Sequence, residues 1–333
     1  MSSRGAGVAL LFAVLLVPPA RAAEAPAEAR PLAPTEVQVH PPVQPPVEIL
    51  VLYPPDLAFS IEPKMKIFAY RASMGDPVIP AVNGKAAAPL EGETFLKGEV
   101  SLSAGMNLLQ VGGKILRVFF LPDTIMDALR FPSGEEGEDR VFQAYRLHPA
   151  LDDGCEVCHT LEGGKLKAKD QMEACYACHN DFSKADGGKK VFVHAPVDSG
   201  ECTSCHDPHF ATRPKLQKLE KGCLECHDPF PTNGTVHAPV RAGECGACHS
   251  PHAGPAPKQL LRAGNALCLG CHKDTHMRHR SPEVTGTMTS VPETFPLDNG
   301  SLACAGCHVP HQSGARRLLK GSGGELCTIC HRM

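Results

Sequence analysis

One short motif, Cys-x-x-Cys-His, governs everything from His148 to the C-terminus. It occurs eight times: CEVCH (Cys155, Cys158, His159), CYACH (Cys175, Cys178, His179), CTSCH (Cys202, Cys205, His206) and CLECH (Cys223, Cys226, His227), then CGACH (Cys245, Cys248, His249), CLGCH (Cys268, Cys271, His272), CAGCH (Cys304, Cys307, His308) and CTICH (Cys327, Cys330, His331). The motifs come in pairs, and the stretch His194 to His227 shows the unit most clearly. Four such units fill this half of the chain and use all 16 cysteines. Only six Phe or Tyr residues lie beyond His148, and the protein has no Trp. An ordinary apolar core is hard to build from such side chains, so something else must supply apolar volume.

The spacing has a mechanical reading. Two Cys three positions apart lie on one side of a helical turn, where both sulfurs reach the two vinyl groups of a haem. The following His then falls beneath the iron. Paired CxxC motifs also suit zinc, and an exported chain can pair its thiols as disulfides. Neither chemistry explains a His after every second Cys. The expectation is therefore eight covalently attached haem c groups, held by the 16 cysteines, with the eight motif His as proximal iron ligands.

Three further features recur. A His-x-Pro precedes the first motif of a pair at His194-Ala-Pro196 and His237-Ala-Pro239, with looser forms at His148-Pro149 and His279 to Pro282. A Pro-His follows the first motif at Pro208-His209, Pro251-His252 and Pro310-His311. A basic, Leu-containing run (KLQKL, KQLLR, RRLLK) then leads to the second motif. On these features the region from His148 to His331 resembles multihaem c-type cytochromes of the paired (doubled) CXXCH family. The resemblance implies electron-carrying haems ligated by two His.

The residues test that implication independently. Setting aside His40 in an N-terminal Pro-rich stretch, eight His remain for eight irons: His148, His194, His209, His237, His252, His276, His279 and His311. These are the candidate distal ligands. The first repeat departs from the pattern, because TLEGGKLK follows His159 with no Pro-His. His276, outside the repeat pattern, is the candidate to fill that place; His40, Met172, Met277 or an open position are the alternatives. His209 lies three residues past His206, a reach of about 10 Å at most. Rounding a porphyrin rim in that length is strained, so His209 is expected to serve a neighbouring haem.

The N-terminal half reads differently. Met1 to Ala22 has a basic start at Arg4, an apolar run Val8 to Val17 too short to span a bilayer, and Ala20-Arg21-Ala22 as a cleavage site. It reads as a secretory signal, an uncleaved anchor being the alternative. Residues 23–46 are a Pro/Ala-rich linker. Residues 47–122 alternate β-rich runs with turn signals at Asn83-Gly84 and Gly112-Gly113, predicting a small all-β sandwich. The string VNGK to GETFLKGEVSLSAGMNLLQV resembles bacterial immunoglobulin-like modules. Residues 123–147 are expected to be a linker, with Asp123 to Arg130 a short helix capped by Asp123. The fold class is thus an Ig-like sandwich followed, at 148–333, by an octahaem domain of little regular structure, with short helices at the motifs.

The functional expectation is electron transfer by a secreted, periplasmic or extracellular carrier in respiratory electron transport, not an enzyme. A saturated iron has no place for substrate. A reductase of nitrogen or sulfur oxyanions with one open haem is the alternative, and the irregular first repeat is where such a site would lie. A structural or adhesive role through the sandwich is the third reading. From His148 onward 20 Lys and Arg balance 20 Asp and Glu, so the basic stripe of a nucleic-acid binder is missing. Haem propionates would bring this half to a net charge of about −8, suited to redox partners with basic docking surfaces. No membrane span is expected after signal cleavage; association with a membrane complex or outer surface would run through the sandwich.

Overall fold

The β-branched and aromatic runs of the N-terminal half become strands. They are β1 (Ile49–Tyr53), β2 (Ala58–Ser60), β3 (Lys64–Arg71), β4 (Ala81–Val82), β5 (Lys85–Ala86), β6 (Phe95–Ser101), β7 (Gly105–Val111), β8 (Lys114–Phe120), β9 (Ala128–Phe131) and β10 (Arg140–Ala144). The structure, a computed structural model, describes residues 48–122, 128–131, 140–163, 165–184, 190–273 and 291–331. The expected signal, the Pro/Ala-rich linker, His40, His276, Met277 and His279 lie outside the described residues.

Two sheets form. One has the order β1-β3-β6 and is antiparallel throughout. The other has the order β5-β4-β7-β8-β2-β10-β9. Alternate residues of β7 and β8 point inward, as a half-buried strand requires. Leu109, Val111 and Val118 of the second sheet are fully buried in one cluster with Ile67 of the first. Both predicted turns close hairpins: Asn83 and Gly84 have φ of 52° and 78°, and Gly112 has φ of 58°, the left-handed values such turns demand. Asn107, wholly buried, accepts from the Asn83 side-chain amide at 3.1 Å and from Ser103 N at 3.0 Å, and donates to Ser103 O and Gly105 O. That network ties the VNG turn to the G-M-N corner.

The expectation for 123–147 needs correction. Ala128 to Arg130 are strand rather than helix, and β10 runs parallel to β2, which itself runs parallel to β8. The second sheet therefore contains parallel neighbours that a simple hairpin succession does not produce. The apolar alternation of RVFQA was overshadowed by the acidic run before it. Phe142 buries almost completely and β10 pairs with β2 through Gln143 and Ala144, so residues 140–144 are part of the sheet, not a tether.

Beyond His148 regular structure shrinks, among the described residues, to helices of three to six residues and to strands of two residues, apart from the four-residue pair His159–Glu162 and Lys165–Ala168. Three of those strand pairs stitch each repeat to the next. Arg146–Leu147 pairs with Phe210–Ala211, Phe192–Val193 with Ala253–Gly254, and Thr235–Val236 with Gln312–Ser313. The first stitch also joins the two halves of the chain. Tyr53 and Tyr145 pack their rings edge-on against Phe210 at 5.5 and 5.3 Å, Leu151 enters the sheet core, and Lys66 Nζ meets the Asp152 carboxylate at 2.7 Å.

Candidate functional site

Each motif is one helical turn. At Cys155–Val157, Cys202–Ser204, Gly222–Glu225 and Cys245–Ala247 the turn is 3-10; at Gln171–Tyr176, Asn265–Cys268, Cys304–Cys307 and Gly323–Thr328 it is α. In seven of the eight, the motif His donates its backbone N–H to the carbonyl of the first Cys, at 2.8 to 3.1 Å. That bond sets the two sulfurs and the imidazole in one orientation. Longer turns are capped: Asp170 accepts from Glu173 N, and Ser322 forms a reciprocal capping box with Glu325, as side chains at helix starts do. No disulfide joins any of the 16 cysteines. No cluster of three or more His, Cys, Asp or Glu that would hold a metal ion occurs among the described residues.

The thiols of successive motifs adjoin one another. Burial pushes the Cys175 thiol up to about 11, and the Cys202 thiol bonded to it adds to the shift. Burial does the same to Cys268, again to about 11, beside Cys304, and raises Cys223 beside Cys245. Cys205 feels Cys226, Cys248 feels Cys271, and Cys307 feels Cys330, each after the larger effect of burial. The attachment points of successive motifs thus lie near one another in the order of the sequence.

The imidazoles face each other in pairs. His159 faces His209 with ring centres 5.8 Å apart, His179 faces His148 at 6.0 Å, and His206 faces His252 at 6.0 Å. His227 faces His194 at 6.0 Å, His249 faces His311 at 5.9 Å, and His272 faces His237 at 6.0 Å. The planes of each pair lie within 12° to 34° of parallel. A metal–imidazole bond of about 2 Å on each side, with roughly 1 Å from each nitrogen to its ring centre, spans about 6 Å. The six gaps therefore fit an iron between two imidazoles. Burial, first, and the facing His, among the neighbouring charges, hold His148, His209, His252 and His311 below the usual imidazole range. The neutral form is the ligating form.

A backbone rule generates the pairs. The leading His of one repeat donates its N–H to the carbonyl of the Pro-His histidine of the next: His148 to His209 at 2.8 Å, His194 to His252 at 2.8 Å, His237 to His311 at 3.0 Å. Each such couple turns one ring to each of the earlier repeat's two motifs. His209 accordingly faces His159 rather than His206, the motif His three residues before it. The ring facing His159 is that of His209, at the place for which His276 is the sequence candidate. The first repeat has no Pro-His because no repeat precedes it to be served.

Proximal His residues are held from behind as well. His206 Nδ1 lies 2.8 Å from the Lys215 carbonyl, His249 Nδ1 2.8 Å from that of Lys258, and His308 Nδ1 2.9 Å from that of Arg317. A carbonyl only accepts, so Nδ1 carries the proton and Nε2 is left for a metal. The three carbonyls sit in an unusual backbone. Lys215-Leu216, Lys258-Gln259 and Arg317-Leu318 all have φ between 54° and 59°, a left-handed region that costs non-glycine residues about 1–3 kcal/mol each. This is what the basic, Leu-containing run does, and sequence reasoning recorded the run without its role. It also missed Phe182 and Phe230, three residues past His179 and His227. Their rings lie against His252 and His311 at 4.2 and 4.5 Å.

A family model for the doubled CXXCH motif matches residues 194–232, 237–277 and 295–333. The multiheme cytochrome MtrA of Shewanella baltica (strain OS185) is 31% identical over 86 residues, covering 24% of this chain and 26% of the relative. The chain thus spans about a quarter of that relative's length. An FMN-binding beta-glucuronidase from Facaelibacterium prausnitzii L2-6 matches at 16% identity over 24% of this chain and 12% of that one, with a TM-score of 0.20, too slight a likeness to carry a fold. The repeats and the relative support a multihaem c-type cytochrome and indicate covalently bound haem c. Among the described residues no helix is long and apolar enough to cross a membrane.

Proposed function

We propose that the chain is an octahaem electron carrier whose irons are each closed by two imidazoles. The carrying observation is the six facing His pairs at 5.8 to 6.0 Å. Bound haem supplies one-electron Fe(III)/Fe(II) chemistry. The protein's residues do the rest: sulfurs anchor, Nε2 atoms ligate, and the imidazoles on both faces keep substrate off the metal. His279 leads the fourth repeat as His237 leads the third, so the repeat rule assigns it to His331, and the count leaves His276 for His308. Adjoining thiols support a path for electrons that follows the order of the motifs. The two β-sheets, read as an Ig-like module, serve as a spacer or docking element. The leader places the carrier outside the cytoplasm, and its partners are redox proteins with basic docking surfaces. The reductase alternative called for an open iron at the first repeat, where the His209 ring now stands.

The test uses purified holoprotein. Intact mass should show eight added haems, and His209→Met should alter the spectrum of the haem on Cys155 and Cys158. A change confined to the haem on Cys202 and Cys205, or a chain carrying zinc instead, would sink the proposal. Carbon monoxide binding to the reduced wild type would restore the reductase reading.

A further inference from the structure

The first motif differs from the other first motifs of the repeats behind its imidazole. His206, His249 and His308 each give their Nδ1 proton to a carbonyl at 2.8 to 2.9 Å. His159 Nδ1 is buried and has no hydrogen-bond partner. The cause is local. After His159 the chain forms a regular hairpin, His159–Glu162 against Lys165–Ala168, with His159 opposite Ala168. Gly163, at φ of 57°, makes its turn. The segment that follows runs as a ladder, so no left-handed pair bends a carbonyl back beneath the ring. The next anchor is nonetheless shared: Lys169 N bonds Cys158 O at 3.0 Å as Lys218 N bonds Cys205 O at 3.0 Å. Only the carbonyl is lost.

An imidazole that ligates through Nε2 must keep its proton on Nδ1. Giving that proton to a carbonyl pushes electron density into the ring and makes it a stronger donor, which favours ferric iron. An imidazole with no acceptor is the weaker donor and favours ferrous iron. Two carboxylates oppose this, since Glu93 and Glu156 line a cavity of about 470 Å³ with His159 at the edge of the sheets. Both are exposed, so solvent and salt screen them, whereas the missing bond acts on the ligand itself.

We propose that His159 is a tuning residue that gives the haem on Cys155 and Cys158 the most positive potential of the four first-motif haems. Among those four haems, electrons then rest preferentially on the one beside the sheets. This rests on the ligation proposed above, and the experiment separates the two. Intact mass is read first, because a haem count below eight refutes the ligation reading and this one with it. The full-length holoprotein is then titrated electrochemically with paramagnetic resonance at each step. The first haem is identified as the signal that His209→Met removes. At a common applied potential its ferrous-to-ferric ratio should exceed that of the haem on Cys202 and Cys205 by about tenfold, which is about 59 mV for one electron. Replacing residues 160–168 by the 250–260 segment, with its own His changed to Ala, brings in the carbonyl and should return the ratio to that of the other haem. A first haem with the same or a smaller ratio in the wild type overturns the proposal, whether or not the graft folds.

Discussion

Residues 49–144 and residues 148–331 hold themselves together by different means. Among the described residues the first stretch carries seventeen of the twenty buried hydrophobic residues, and the second contributes Leu151, Ala211 and Ala256. Strand ladders of up to seven residue pairs organise the first, while two-residue pairings organise the second. In the sheets, side chains fill the interior and the backbone follows their alternation. In the repeats, the backbone is bent, even into left-handed pairs, to aim thiols and imidazoles at gaps that side chains do not fill. Such an arrangement fits a region whose interior is supplied by covalently bound haem.

The sharpest way to break this contrast is to withhold the cofactor. Protein made without haem attachment should lose amide protection across 148–331 while β3, β6, β7 and β8 keep theirs, read by hydrogen exchange. Protection lost in both halves together would mean that the sheets too depend on haem. Next in size, Leu109→Ala opens the fully buried sheet core and should lower its stability by about 2–5 kcal/mol. The visible spectrum should stay unchanged, and a change in it would show the two halves to be one cooperative unit.

Acid gives a smaller effect. Hydrogen bonds from Arg117 hold the Asp56 carboxyl below its ordinary 3.8. A depressed carboxylate lends stability above 3.8 that is lost as pH falls through its folded value. Acid unfolding of the sheets followed by far-ultraviolet dichroism should therefore shift to higher pH in Asp56→Asn. The smallest change is expected at the joint between the halves. Lys66 and Asp152 are 44% and 57% exposed, so Lys66→Ala should move the thermal midpoint only by the equivalent of about 0.2–1 kcal/mol. A larger loss would assign the ion pair a real share in joining sheets to repeats.

Much of the site was readable before any coordinates. The 16 thiols and the eight motif His were named from spacing, because CxxCH is a local device completed within five residues; the six candidate distal His among the described residues were named from the recurring His-x-Pro and Pro-His and from the count of His left over. The strand runs around Asn83 and Gly112 were readable for the same reason, since turns and alternation are local. What escaped was whatever needs two distant segments. The β2–β10 pairing joins residues 58–59 to 143–144, and no periodicity announces which strand lies beside which. The facing of His159 by His209 has the same origin: the missing Pro-His of the first repeat looks like a deficit only while each repeat is imagined to serve itself.

The sequence by itself determined the inventory: how many anchors and ligands exist, at what spacing, and that no side-chain core was available beyond His148. Tertiary structure decided the bookkeeping between repeats. The bond from His148 N to His209 O and its two counterparts carry each Pro-His ring to the first motif of the preceding repeat, and the hairpin after His159 removes one carbonyl from one ring. Those outcomes depend on where backbone groups meet in space, and a hydrogen bond between residues some sixty positions apart leaves no pattern along the chain.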